Sequence, residues 1–176
     1  MQGYINDTSP SAANQPVDSN SPAADVKYFG DESEVEQLQN GLSTLESTDQ
    51  GKSLAASLRE NGVGIRFSNE IEMAAFNPNT NEILLSEKLK DAPPNVLAAH
   101  LAHEGTHADW FARGIQQDSI DQEYNAFLNE KKVWDQVKGD TVDGQCDWVN
   151  QFMSQSEADA KSVLRFYYPE LPEYGL

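Results

Sequence analysis

The 176-residue chain has three histidines, and all of them fall within His100-Leu101-Ala102-His103-Glu104-Gly105-Thr106-His107. Imidazole is the commonest side-chain ligand for transition metals. At about 100° per residue, an α-helix sets His103 and His107 roughly 40° apart around its axis and one turn apart along it. Both rings can then reach one ion. Glu104 adjoins His103 but points about 60° away from His107. It flanks such an ion rather than binding it, and a carboxylate there can take a proton from a metal-activated water. Zinc suits these donors. A catalytic zinc keeps three protein ligands and one open position, so a third ligand must come from another element.

The candidates follow on the next run: Asp118, Asp121, Glu123 and Glu130. Asp118 as N-cap and Asp121 at N3 have a local explanation in helix capping. Ile120, Tyr124, Phe127 and Trp134 define a buried arc, and Asp121 falls outside it. Glu123 and Glu130 fall on its edge, where a carboxylate is costly unless paired or bound to a cation. Glu123 lies nearest the turn at Gly114, and Ala126 leaves room for close helix approach. Glu123 is therefore the expected third ligand, with Glu130 in reserve as a ligand or as a partner to a ligand histidine.

The remaining residues of the segment have plainer expectations. His100 is expected to pack or to line a cleft rather than to ligate. Trp110 reads as core packing and Asp109 as a solvated surface charge. Tyr167, Tyr168 and Tyr174 are expected in aromatic packing, the alternative being a phenol that stabilises an oxyanion. Gly105 costs about 1 kcal/mol in mid-helix, which a backbone passing close by would explain.

The elements that must position these residues read as follows. Residues 1–27 carry Pro10, Pro16 and Pro22 among small polar residues with no apolar period, which predicts a disordered arm. The single folded domain is expected over residues 28–176. Ser33 with Glu36 has the form of a capping box, ahead of a helix with Val35, Leu38, Leu42 and Leu45 on one face. A second short helix carries Leu54, Ala55 and Leu58 and ends at Asn61-Gly62. Val63–Ser68, Met73–Asn77 and Glu82–Ser86 read as strands, the last two forming a hairpin across the turn formers between them. An amphipathic helix is predicted from Pro94 to Arg113, stopped by Gly114, and another from Ser119 to Lys138, stopped by Gly139. A final helical stretch is expected near Trp148–Tyr167, ended by Tyr168-Pro169. Helices, then a small sheet, then helices make an α+β domain.

Composition narrows the function. With 12 Lys plus Arg against 29 Asp plus Glu, the net charge is −17, which disfavours nucleic acid and anionic lipid surfaces as partners. No apolar run is long enough to span a bilayer. The lone Cys146 can form no internal disulfide and no cysteine-based zinc site. The first residues lack the basic and apolar regions of a secretory signal, which favours a cytoplasmic location, a mature secreted form being the other reading.

With these residues in view, the chain resembles the zincin metallopeptidases, and most closely their gluzincin branch in its compact form. The resemblance covers roughly residues 63–138. The metzincin pattern does not fit, because Trp110 and Arg113 stand where it needs Gly and His. Glu123-Tyr124-Asn125-Ala126 also departs from the pattern of the larger gluzincins. The resemblance implies that His103, His107 and Glu123 bind Zn2+, that Glu104 is the general base, and that peptide bonds are hydrolysed. It further implies that Glu82–Ser86 borders the cleft and pairs with an extended peptide or protein substrate. The alternative is a catalytically inactive or regulatory zinc-binding interaction module on the same scaffold. A fourth protein ligand would favour the module, and an open position beside a free cleft would favour the enzyme.

Overall fold

The computed structural model describes residues 25–115 and 119–173. It is α+β, with a four-stranded mixed sheet and, among the described residues, six α-helices. The strands are β1 (Lys27–Phe29), β2 (Gly64–Ser68), β3 (Ala74–Asn77) and β4 (Glu82–Ser86), in the order β1-β2-β4-β3. β1 runs parallel to β2 and β2 parallel to β4, while β3 closes the sheet antiparallel to β4. The predicted hairpin is therefore present, and its turn is tightened by Asn81 at φ 55°. β1 was not foreseen: three residues carry no readable period.

Helices α1 (Glu32–Glu46) and α2 (Asp49–Glu60) form the crossover between β1 and β2. The capping box at the start of α1 is made by Asp31 and Glu34, two residues earlier than Ser33 and Glu36. Helix α3 (Pro94–Ala112) has nearly the expected bounds. It is not amphipathic, however. Val96 through Thr106 are buried without interruption, because α1, α2, the sheet and α4 (Ile120–Val137) surround it. Its approach to α1 is close at Gly41, where a Cβ would stand 2.9 Å from Leu97 Cβ. Gly105 meets no such constraint: a Cβ there would lie 3.6 Å from Leu58 Cδ1, an ordinary contact, so no backbone passes close.

Gly114, at φ +87°, ends α3 and lets the chain turn toward α4. The N-cap of α4 is Ser119, whose hydroxyl accepts from the Gln122 N–H; the expected cap Asp118 lies outside the described residues. The anticipated final helix is two helices, α5 (Gly144–Phe152) and α6 (Glu157–Tyr167), broken where Ser156 caps the second. Two apolar cores result. One joins the sheet to α1, α2, α3, Val133 and Trp134, and the other gathers Ile120, Phe127, Val149, Phe152, Ala160 and Leu164. Helix α4 contributes to both. No helix among the described residues is long and apolar enough to cross a membrane.

Candidate metal centre

His103 and His107 project from one face of α3 toward the first turn of α4. Their Nε2 atoms lie 3.3 Å apart. Glu123 Oε2 is 3.6 Å from His103 Nε2, and Glu123 Oε1 is 3.3 Å from His107 Nε2. These three residues are the group, among the described residues, whose donor atoms could hold a metal ion. An ion bound tetrahedrally at about 2.0–2.1 Å holds its ligand atoms about 3.3–3.4 Å apart. The separation of the two imidazole nitrogens matches that spacing, and Glu123 turns one carboxylate oxygen toward each ring.

The charge of the cluster points the same way. Glu104, Glu123 and Glu130 are all buried, and a buried carboxylate demands compensation. Burial alone pushes the Glu123 carboxyl up, but the hydrogen bond from His103 and the nearby His107 outweigh it and leave it below the usual range. Its position in the first turn of α4 also places it at the positive end of the helix dipole. Burial lowers His103, but hydrogen bonds to Glu123 and Glu130 overcome this and hold it well above the ordinary histidine range. Burial, with His103 beside it, takes His107 down to about 4. One imidazolium thus faces an excess of buried carboxylate, which a divalent cation would balance.

Glu130, the reserve candidate, stands behind the ring: its Oε2 is 3.1 Å from His103 Nδ1. That contact would hold a proton on Nδ1 when an ion displaces the one on Nε2, so that Nε2 is the nitrogen offered to the metal. Asp121 is drawn away by Lys161 at 2.6 Å. His100 is buried, as expected of a packed residue, and its Nε2 finds no hydrogen-bond partner among the described residues. Asp109 is not a solvated charge: it accepts from Ser57 Oγ at 2.6 Å and pairs with Arg113.

The cluster forms one wall of a cleft of about 250 Å³. Its opposite wall is β3, through Ala74, Ala75 and Phe76. The expectation that Glu82–Ser86 borders the cleft with a free edge is therefore corrected. β4 is paired on both sides, by β2 and β3, and β3 is the edge. Trp110 is likewise cleft wall, not core, with its ring edge-on to His107. Glu104 also lines the cleft. Burial raises its carboxyl to about 7, partly offset by His103 and by the Phe76 N–H that donates to it.

Tyr168 completes the site, although packing was the expectation for it. The segment after α6 folds back over the start of α4, where Pro172 and Glu173 carbonyls accept from the Ile120 and Asp121 N–H groups. These are helix N-terminal donors that otherwise lack partners. The fold-back carries Tyr168 onto the cleft, with its hydroxyl hydrogen-bonded to Glu123. Tyr167 instead is exposed and stacks edge-on against Trp148; Tyr174 lies outside the described residues. No protein-family model, curated protein or solved structure matches the chain at a significant level.

Proposed function

We propose that the chain is a zinc-dependent peptidase of the compact gluzincin kind, with His103, His107 and Glu123 as zinc ligands and Glu104 as general base. The observation that carries this reading is the convergence of two imidazole nitrogens and one carboxylate, 3.3–3.6 Å apart, on the wall of a cleft that also holds Glu104. Zinc, when bound, supplies Lewis acidity that acidifies water and polarises a carbonyl.

The protein's own groups would do the rest. Glu104 accepts a proton from the attacking water and returns it to the leaving amine. Its carboxyl lines the cleft beside the three donors, where it can make both transfers. The Phe76 N–H orients it. Burial, reinforced by Glu123 and Glu104, raises the Tyr168 hydroxyl, so it stays protonated and can donate a hydrogen bond to a developing oxyanion. Glu130 holds His103 in place. An extended peptide would lie along the free edge of β3.

The donor count favours an enzyme over a regulatory module. Among the described residues the metal-holding group has three members, the number a catalytic zinc uses, and no fourth ligand joins them. The test is stoichiometric zinc uptake by metal-free protein, followed by incubation with a mixed peptide library. Zinc uptake with cleavage supports the reading. Zinc uptake without cleavage of any peptide favours the module.

A further inference from the structure

A second cavity, of about 550 Å³, adjoins the cleft. It lies within the roughly 300–1,000 Å³ range of small-ligand pockets. Phe127, Gln145, Trp148, Leu164, Tyr167 and Tyr168 wall it, together with Gly144 at the start of α5. Two of these residues also touch the metal centre. Tyr168 lines both spaces and bonds Glu123, and the Phe127 ring stands edge-on to His103 with centroids 4.3 Å apart. Of the other aromatics, Trp148 packs against Phe152 at 4.6 Å and against the exposed Tyr167 at 5.6 Å between centroids.

The chemistry of this wall differs from that of the metal-centre cleft. The chain carries a net charge of −17, yet no lining residue of the cavity is charged. The metal-centre cleft, at about 250 Å³, has the carboxylates, and the larger space beside it has the rings. A charged side chain would find no counter-charge in that lining. An aromatic one would gain offset and edge-on contacts with the aromatic residues of the wall, which are Phe127, Trp148, Tyr167 and Tyr168.

We infer that this cavity receives a bulky apolar side chain, aromatic by preference, from a peptide whose scissile bond lies at the His103–His107–Glu123 cluster. The inference rests on the peptidase reading for its substrate, and on the shared Tyr168 wall for its position. Gly144 provides the means to test it. It is exposed at the first position of α5, and a Cβ added there meets nothing within 4 Å. A large side chain at this point can occupy the cavity mouth without disturbing the fold.

The experiment uses the zinc-loaded full chain and a peptide series in which one residue is varied from Ala to Phe at each position around the cleaved bond. At one position, Phe should raise kcat/KM over Ala by roughly 10- to 100-fold. In Gly144→Phe, with zinc stoichiometry and Tm retained, that ratio should fall to near one. Cleavage without an aromatic preference, or a preference that survives Gly144→Phe, overturns the pocket and leaves the peptidase reading standing. If the zinc-loaded protein cleaves no peptide, the peptidase reading falls, and the cavity is then judged by binding alone. N-acetyl-phenylalanine amide titrated into metal-free protein should move the Trp148 indole resonance, and N-acetyl-alanine amide should not. An equal response to both, or none, overturns the assignment.

Discussion

Glu130 Oε2 lies 3.1 Å from Nδ1 of His103, while Nε2 of the same ring faces Glu123 at 3.6 Å. One imidazole is thus gripped at both nitrogens by carboxylates of a single neighbouring helix, seven residues apart. Glu123 is placed to share an ion with the ring at Nε2, and Glu130 holds the ring from Nδ1 so that Nε2 is the nitrogen offered to the ion. Replacing Glu130 by Ala should weaken zinc binding by about 10- to 100-fold while His103, His107 and Glu123 remain. Competition against a chromophoric chelator measures this. Unchanged affinity would show that the ring is oriented by packing against Phe127 alone.

Glu104 should separate binding from chemistry. Glu104→Gln is expected to keep stoichiometric zinc and to lose peptide hydrolysis by at least about 10²- to 10⁴-fold, the usual range for removing a general base. Turnover close to wild type would move the base elsewhere.

The same residue sets a pH signature in the metal-free protein. Its folded carboxyl titrates at about 7, above the value of 4.5 for a free side chain. The native state therefore holds that proton more tightly than the unfolded chain does. The stability it contributes is intact below about pH 4.5 and is lost as pH rises through about 7, a change of about 3 kcal/mol. Glu104→Gln should remove this fall, so the variant gains on wild type between pH 4 and pH 8 in denaturant titrations of metal-free protein. Parallel stability curves for the two proteins would contradict the placement of Glu104 in a desolvated wall.

Two helical glycines should respond oppositely to alanine. At Gly105 the added methyl fits against Leu58, and the helix gains about 1 kcal/mol. At Gly41 the methyl would press on Leu97 at 2.9 Å, and overpacking should exceed the helical gain by about 1 kcal/mol. Thermal unfolding of both variants reads the difference directly.

Much of this arrangement is written locally in the chain. The 3.6-residue repeat puts His103 and His107 together, the turn formers at Asn77–Asn81 make the hairpin, and Gly114 stops α3. The edge position of Glu123 on the α4 arc gave its role as the expected third donor. What local pattern could not give is whatever depends on distant segments. α3 lost its amphipathic character because four neighbours cover it. The free edge belongs to β3 because β4 pairs with β2, a choice made by the crossover and not by the strand itself. Tyr168 reaches the site only because residues 172 and 173 cap α4 from 52 positions away in sequence, a contact with no signature in either segment. The break between α5 and α6 did have one: Ser156, three residues before Asp159, is an N-cap pattern inside the stretch read as continuous helix.

The central claim concerns three donors and one ion. A crystal structure of zinc-soaked protein, phased for anomalous scattering at the zinc edge, tests it most directly. One peak is expected about 2.0–2.1 Å from Nε2 of His103, Nε2 of His107 and a Glu123 carboxylate oxygen, and it should vanish in Glu123→Ala. No peak at that point, or an ion held without Glu123, would contradict the account.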